Sequence, residues 1–98
     1  MLTSKQRAYL RSLAVNEDTI LMVGKSGMGQ EIVKQADSAL EKREFIKGRV
    51  LPDTSPISSR EAAEELAAKT GSDVVQVIGS RFVLYRRKKK DPKIVLPR

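Results

Sequence analysis

The tripeptide Gly24-Lys25-Ser26 is the stretch of this chain most typical of nucleotide chemistry, because glycine, lysine and a hydroxyl close the phosphate-binding loop of many ATPases and GTPases. That loop needs another glycine five residues earlier, so that its backbone N–H groups can surround the phosphates. Here that position is Thr19, and the residues between are the apolar run 20–23, which predicts a strand. The sequence therefore disfavours a nucleotide hydrolase.

The three glycines of this stretch also fail to match a dinucleotide-binding loop. That loop requires G-x-G-x-x-G, whereas Gly24, Gly27 and Gly29 have the reversed spacing G-x-x-G-x-G. The tight turn and the close approach to a pyrophosphate would fall at the wrong positions. The next predicted strand ends Lys47-Gly48-Arg49-Val50, without the acidic residue that would bind a ribose.

The spacing does fit a GxxG loop, Gly24-Lys25-Ser26-Gly27, between a strand and the start of a helix. In KH-type domains such a loop clamps the backbone of single-stranded nucleic acid. Glycines allow close approach, N–H groups at the helix start meet phosphate oxygens, and Lys25 adds a positive charge. Met28, at the loop exit, is a further candidate contact. The same spacing also fits a tight turn that merely needs glycine conformations.

Positive charge is concentrated near the two ends of the chain. Lys and Arg number 19 against 12 Asp and Glu, which gives a net charge of +7. Residues 1–16 contain three bases and no acid, and residues 79–98 contain eight bases and one acid. Clustered positive charge attracts polyanions, although a solvated helix face and a solubilising tail are the alternatives. The candidate RNA contacts at the two ends are Lys5, Arg7, Arg11, Arg86, Arg87, Lys88, Lys89 and Lys90.

The composition also excludes several kinds of chemistry. The chain has no cysteine and no histidine, so thiolate metal sites and histidine-based acid–base catalysis are out, and we expect no metal and no cofactor. Its 98 residues predict a single domain, 1–98, with a basic tail over 86–98. No run approaches the roughly 18 apolar residues of a membrane span, and the N-terminus lacks a signal-peptide core. We therefore expect a cytoplasmic protein that does not bind membranes.

Hydrophobic periodicity predicts a compact α/β fold with elements in the order α-β-α-β-α-β-β. The first helix is capped by Thr3 or Ser4, and the third begins at a capping box of Ser58 with Glu61. The predicted bounds, in chain order, are 4–14, 20–23, 28–42, 45–51, 59–70, 74–78 and 81–86. Alternating helices and strands predict a four-stranded mixed sheet, mainly parallel, that closes with a hairpin at Gly79-Ser80.

The pattern within single elements adds three expectations. The uninterrupted apolar run 20–23 predicts a strand buried on both faces. In the second strand Ile46, Gly48 and Val50 alternate with Phe45, Lys47 and Arg49. Phe82 and Tyr85 should lie on opposite faces of the last strand, so at most one of them could stack on a base. The third helix carries an acidic face, which should point away from RNA: Glu61, Glu64 and Glu65.

Five segments together resemble the YhbY-like single-domain members of the CRM (chloroplast RNA splicing and ribosome maturation) family. They are LTSKQRAYLRSLA, VGKSG, IKGRV, ELAAKTGSDVVQVIGSRFVLYR and IVLPR. The resemblance implies a fold similar to the C-terminal domain of bacterial translation initiation factor three. It also implies binding to 23S ribosomal RNA in precursors of the 50S subunit and a role in their assembly. The family's GxxG loop corresponds to residues 24–27 and its basic surface to the first helix with Lys5, Arg7 and Arg11.

The sequence departs from this family in its tail. Relatives are expected to have a proline soon after the L-Y-R block, whereas this chain continues with Arg87 and three lysines. We expect a monomeric, non-enzymatic RNA-binding protein without a small-molecule substrate. The alternatives are a protein-interaction module whose basic tail docks on an acidic partner, and the small nucleotide-binding hydrolase.

Overall fold

The computed structural model describes residues 2–24, 29–51, 57–88, 94, 96 and 97. Within these residues the element order is the predicted α-β-α-β-α-β-β. The helices and strands, in chain order, are α1 Ser4–Ala14, β1 Thr19–Val23, α2 Gln30–Arg43, β2 Phe45–Val50, α3 Ser59–Thr70, β3 Asp73–Ile78 and β4 Arg81–Tyr85. None of the helices in the described ranges is long and apolar enough to cross a bilayer.

The ends of α1 and α3 follow directly from local sequence. The Thr3 hydroxyl accepts a hydrogen bond from the Gln6 amide at 3.1 Å, and the Thr3 amide donates to the Gln6 side chain at 3.0 Å. Ser58 and Glu61 form the same reciprocal pair at 3.2 and 3.3 Å. At the other end of α3, Gly71 adopts the left-handed conformation, with φ of 67°. The predicted caps are confirmed.

The sheet has the strand order β1-β2-β4-β3. β1 pairs with β2 in parallel, while β4 lies between β2 and β3 and is antiparallel to both. The prediction of a mainly parallel sheet is therefore wrong. The crossover through α3 leaves a gap of one strand between β2 and β3. The hairpin then places β4 in that gap, where it pairs with both. Gly79 supplies the positive φ of 56° that this predicted two-residue turn requires.

Helices cover both faces of the sheet. α2 and α3 lie on one face over the main core, which includes Leu21, Leu40, Ile46, Leu66, Phe82 and Leu84. α1 lies on the other face over a smaller cluster with Leu10, Ala14, Phe45, Val83 and Tyr85. Phe82 and Tyr85 point to opposite faces as predicted, and both are buried, which leaves neither side chain free to stack on a base.

β1 is not buried on both faces, so that prediction is wrong. Leu21 and Val23 point into the main core, but Met22 points to the other face and is 54% exposed. β1 is an edge strand, and α1 packs on β2 and β3 instead. One face of β1 is consequently left open next to the predicted loop.

Candidate nucleic-acid interface

Four residues of the predicted loop, Lys25, Ser26, Gly27 and Met28, lie outside the described residues. The two residues that flank them are described. Gly24 follows the last residue of β1, and Gly29 is the N-cap of α2. The predicted contact residues therefore connect the end of an edge strand to the start of a helix.

The fold itself does not require glycine at either flank. Neither Gly24 nor Gly29 has a positive φ; among the described glycines, Gly71 and Gly79 do. A Cβ on Gly24 would make an ordinary contact, 3.4 Å from Cδ1 of Leu51, and a Cβ on Gly29 would meet no atom of the described residues within 4 Å. At position 24 the absence of a side chain is thus not explained by strain or packing.

The start of α2 has one feature that attracts an anion and one that repels it. Gly29 provides no side-chain cap, so the N–H groups of the first turn keep their positive partial charge. Glu31 is exposed in the same turn and carries the opposite charge. A cation from the adjoining loop, such as Lys25, would be needed to make this end of the helix attractive to phosphate.

The bases of α1 differ in their exposure. Lys5 and Arg11 are exposed, whereas Arg7 is half-buried and lines a groove with Arg60, Glu64 and residues 74–77 of β3. The Nε of Arg7 is buried, and no described residue forms a hydrogen bond with it. β3 and β1 form opposite edges of the sheet, about 14 Å apart at the usual strand spacing. A ligand that contacts both Arg7 and the loop must therefore cross the sheet.

Arg86 is engaged within the protein. Its guanidinium lies 2.6 Å from Oδ1 of Asp37 and 3.2 Å from Oε2 of Glu41. It also donates to the backbone oxygen of Thr70 at 2.8 Å and to that of Asp37 at 3.0 Å. These contacts tie the residue after β4 to α2 and to the end of α3. The geometry gives Arg86 a structural role and does not favour it as a phosphate contact.

The other bases of the predicted tail differ from Arg86. Arg87 is exposed and Lys88 is half-buried, while Lys89 and Lys90 lie outside the described residues. The Lys88 amide lies 3.4 Å from Oε1 of Glu44. Backbone contacts thus fix the beginning of the tail.

Glu44 is a fully buried acid that the sequence analysis missed. It ends α2 with a positive φ of 68°, and its backbone oxygen accepts from the Arg86 amide at 2.7 Å. Its Oε2 accepts from the Ile94 amide at 2.8 Å. Ile94 in turn packs against the cluster beneath α1. Glu44 therefore attaches the C-terminal segment to the domain, and no local pattern in the sequence signals such a contact.

Tyr85 lies beside this carboxylate. Its hydroxyl is buried and has no hydrogen-bond partner among the described residues. Burial, and secondly the charge of Glu44, raise the pKa of the Tyr85 phenol above its ordinary value of 10.0. Tyr85 is thus a neutral packing residue beneath α1 at physiological pH.

Three bases on the α1 face of the sheet were not among the predicted contacts. Lys47 donates to the backbone oxygen of Ala14 at 3.3 Å, where it neutralises the C-terminal end of α1. Arg49 and Arg81 are direct partners across β2 and β4. The alternation of β2 does indicate that Lys47 and Arg49 share the face of Phe45. It does not indicate that β4 pairs with β2, which is what brings Arg81 beside Arg49.

Comparison with known proteins decides the family. The CRS1 / YhbY (CRM) domain matches residues 2–86. This chain belongs to the CRM domain family. The probable RNA-binding protein YqeI of Bacillus subtilis is 41% identical over 97 residues, covering 99% of this chain and 100% of that protein. An RNA-binding protein of Haemophilus influenzae is 31% identical over 101 residues, covering 99% and 96%.

A solved structure supports the fold. The solution structure of a Staphylococcus aureus protein, SAV1595, is 48% identical and superposes with a TM-score of 0.81 over 99% of this chain and 100% of the other. The predicted α/β architecture with a four-stranded mixed sheet is confirmed, and so is the resemblance read from the five sequence segments.

Proposed function

We propose that this chain is a non-enzymatic RNA-binding protein that associates with 23S ribosomal RNA in precursors of the large ribosomal subunit and assists their assembly. The observation that carries the proposal is the CRM domain over residues 2–86, in a chain with a net charge of +7 whose relatives are named RNA-binding proteins. The protein acts as a monomer in the cytoplasm, where ribosomes are assembled.

In this proposal the GxxG loop, residues 24–27, grips the RNA backbone. The side-chain-free position at Gly24 supports a close approach, because neither φ nor packing demands glycine there. Lys25 supplies the cation, and the uncapped first turn of α2 supplies N–H donors for phosphate oxygens. The loop thus holds phosphates of a chain and not a single nucleotide.

Exposed bases outside the loop extend the contact. Lys5 and Arg11 on α1 and Arg87 in the tail are accessible, whereas Arg86 is excluded by its contacts with Asp37 and Glu41. Lys88, Lys89 and Lys90 follow in the same tail. Since each neutralised phosphate releases counterions, such a basic surface binds strongly at low salt and weakly at high salt.

Sedimentation of a cell lysate tests the partner. At low salt the protein should move with the precursor of the large subunit, and at high salt it should return to the top of the gradient. RNA crosslinked to the protein in that peak should be 23S ribosomal RNA. Sedimentation with mature small subunits, or crosslinks spread over messenger RNAs, would contradict the proposal.

A charge-reversal variant tests the loop. Lys25→Glu with Ser26→Asp should abolish the association while the unfolding temperature stays nearly unchanged. Lys34→Glu with Ser38→Asp is the matched control, because it makes the same two changes at exposed positions of α2. Equal losses in both variants would show that net charge, and not the loop, governs binding.

A further inference from the structure

A row of four side chains crosses the α1 face of the sheet beyond the end of α1. Strand register makes Met22 the partner of Arg49, Arg49 the partner of Arg81, and Arg81 the partner of Ile78. Leu21, Val23, Val50 and Phe82, which are their neighbours in sequence, point into the main core. By alternation the four side chains share the opposite face.

The two central members of this row carry like charges directly opposite each other. Such a pair is unfavourable in a sheet unless something negative lies between or above it. Within the described part of the chain, neither Arg49 nor Arg81 forms an ion pair, and Nε of Arg49 is buried without a hydrogen-bond partner. Arg60, Lys69 and Arg86, by contrast, all pair with carboxylates. Among the described residues, this arginine pair therefore has no compensating negative charge.

The two ends of the row are apolar and open to solvent. Met22 is 54% exposed and Ile78 is 63% exposed. Together with Tyr9 and Val15 they make up the large exposed hydrophobic side chains of the described residues. A free phosphate or a highly charged protein would use the arginines and leave both of these side chains in water. An occupant that alternates charge with apolar surface satisfies all four positions.

The row also connects two predicted contact regions. Met22 precedes Gly24 by two residues, so its β1 end adjoins the predicted loop. Its β3 end, Ile78, follows the segment that forms a groove with Arg7. Four adjacent strands span about 14 Å, which an extended strand of a few nucleotides can cover.

We propose that an unpaired strand of RNA crosses the sheet along this row, with Arg49 and Arg81 on its phosphates and with Met22 and Ile78 against its sugars and bases. The proposal rests on the proposed RNA-binding function and adds a second contact surface to it. An unpaired strand is specified because the faces of its bases are accessible to apolar side chains, whereas those of a duplex are stacked.

Fluorescence anisotropy with a short, labelled, unpaired oligoribonucleotide tests the arginines. Arg49→Gln with Arg81→Gln should weaken binding at least tenfold and reduce the slope of log affinity against log salt by about 1.4, the value for two phosphate contacts on a single strand. The unfolding midpoint should not fall, since the change removes a repulsion. Lys42→Gln with Arg43→Gln removes the same charge from exposed positions of α2 and should have a small effect.

The apolar ends give an independent measurement. Met22→Gln with Ile78→Thr should weaken binding several-fold while the salt slope stays unchanged, because no charge is altered. The same RNA sequence closed into a hairpin should bind the wild-type protein more weakly and should be insensitive to this second variant. Equal binding of both RNA forms, with equal sensitivity, would overturn the assignment to an unpaired strand.

The outcomes separate this inference from the function on which it rests. If wild-type protein binds the RNA and the Lys25→Glu, Ser26→Asp variant does not, RNA binding through the loop stands. If the arginine double variant then binds like its control, the sheet surface is not a contact and the inference is wrong. Failure of the wild-type protein to bind any of these RNAs would overturn the inference, whereas the sedimentation experiment decides the proposed function separately.

Discussion

The ring of Phe82 lies directly over Gly48, its partner across the β2–β4 ladder. A Cβ on Gly48 would overlap with Cζ of this ring and would lie only 2.7 Å from Cε2. Phe82 is 1% exposed and sits in the middle of the main core, so its ring has no free space to enter. The glycine of the IKGRV segment is therefore a packing requirement, in contrast to Gly24.

Gly48→Ala should consequently destabilise the fold. Overpacking a filled core costs about 1–3 kcal/mol in the free energy of unfolding, which urea denaturation measures. Combining it with Phe82→Leu should cost less than the sum of the two single changes, because the smaller side chain makes room for the methyl group. Additive costs, or a Gly48→Ala protein as stable as wild type, would contradict this packing.

Local signals predicted the helices well. The hydrogen bonds of Ser58 with Glu61 lie within four residues of chain, so their spacing was enough to identify the capping box. Thr3, one of the two predicted caps of α1, bonds to Gln6 in the same way. Strand pairing was less predictable. Nothing in the sequence of β4 shows that it enters between β2 and β3, and this placement makes β1 an edge strand and exposes Met22.

In the candidate site, too, features that are local in sequence were predictable and contacts between distant residues were not. The GxxG spacing is local and could be read directly, but Arg86 and its partner Asp37 are 49 residues apart. The run of five bases therefore predicted a uniform tail, whereas its first member, Arg86, forms ion pairs within the domain. Arg49 and Arg81 came together only when the register of the sheet was known.

Arg86→Ala should destabilise the protein, because it leaves the Thr70 oxygen and two carboxylates without their common partner. Both carboxylates are largely exposed, so we expect a modest loss of about 1–2 kcal/mol, mainly from the hydrogen bonds. Arg87→Ala removes the same charge at an exposed position and should leave the free energy of unfolding unchanged.

RNA binding by these two variants should show the reverse order. Below the unfolding temperature, Arg86→Ala should bind nearly as well as wild type, while Arg87→Ala should bind more weakly at low salt. The comparison needs chemical denaturation and anisotropy on the same samples. A stable Arg86→Ala protein with a large binding defect would show that this guanidinium contacts RNA.

Glu44→Gln should loosen the C-terminal segment. The amide side chain keeps the size of glutamate but loses the charge and one acceptor, so it cannot hold the amides of Lys88 and Ile94 equally well. We expect the free energy of unfolding to fall by about 1–3 kcal/mol. Hydrogen exchange at the Ile94 amide should become faster than in Glu31→Gln, which changes an exposed acid of the same helix.

This attachment also determines how the tail must be tested. Deletion of residues 87–98 would remove Ile94 and Leu96, which pack against the cluster beneath α1, as well as the basic side chains. Lys88, Lys89 and Lys90 changed to Gln would remove the charge and keep the packing. If this triple variant has the affinity of wild type at low salt, the lysines do not contribute to binding.

Because of the Tyr85 phenol, the free energy of unfolding should fall at high pH. Burial, followed by the charge of Glu44, raises the pKa of this phenol in the folded state above the 10.0 expected of an unfolded chain. The folded state therefore binds the proton more tightly, and this contribution is complete below about pH 10. It is lost as the pH rises from about 10 through the pKa of the folded state, because deprotonation favours the unfolded chain.

Tyr85→Phe isolates this effect from the titration of lysines, which both proteins share. The difference in unfolding free energy between the two should be constant from about pH 7 to about pH 9 and should then move in favour of the variant at higher pH. At neutral pH the variant should be at least as stable as wild type, since the Tyr85 hydroxyl is buried without a partner. A clear loss at neutral pH would mean that this hydroxyl makes a stabilising hydrogen bond, and parallel curves up to about pH 11.5 would mean that the phenol is accessible to water.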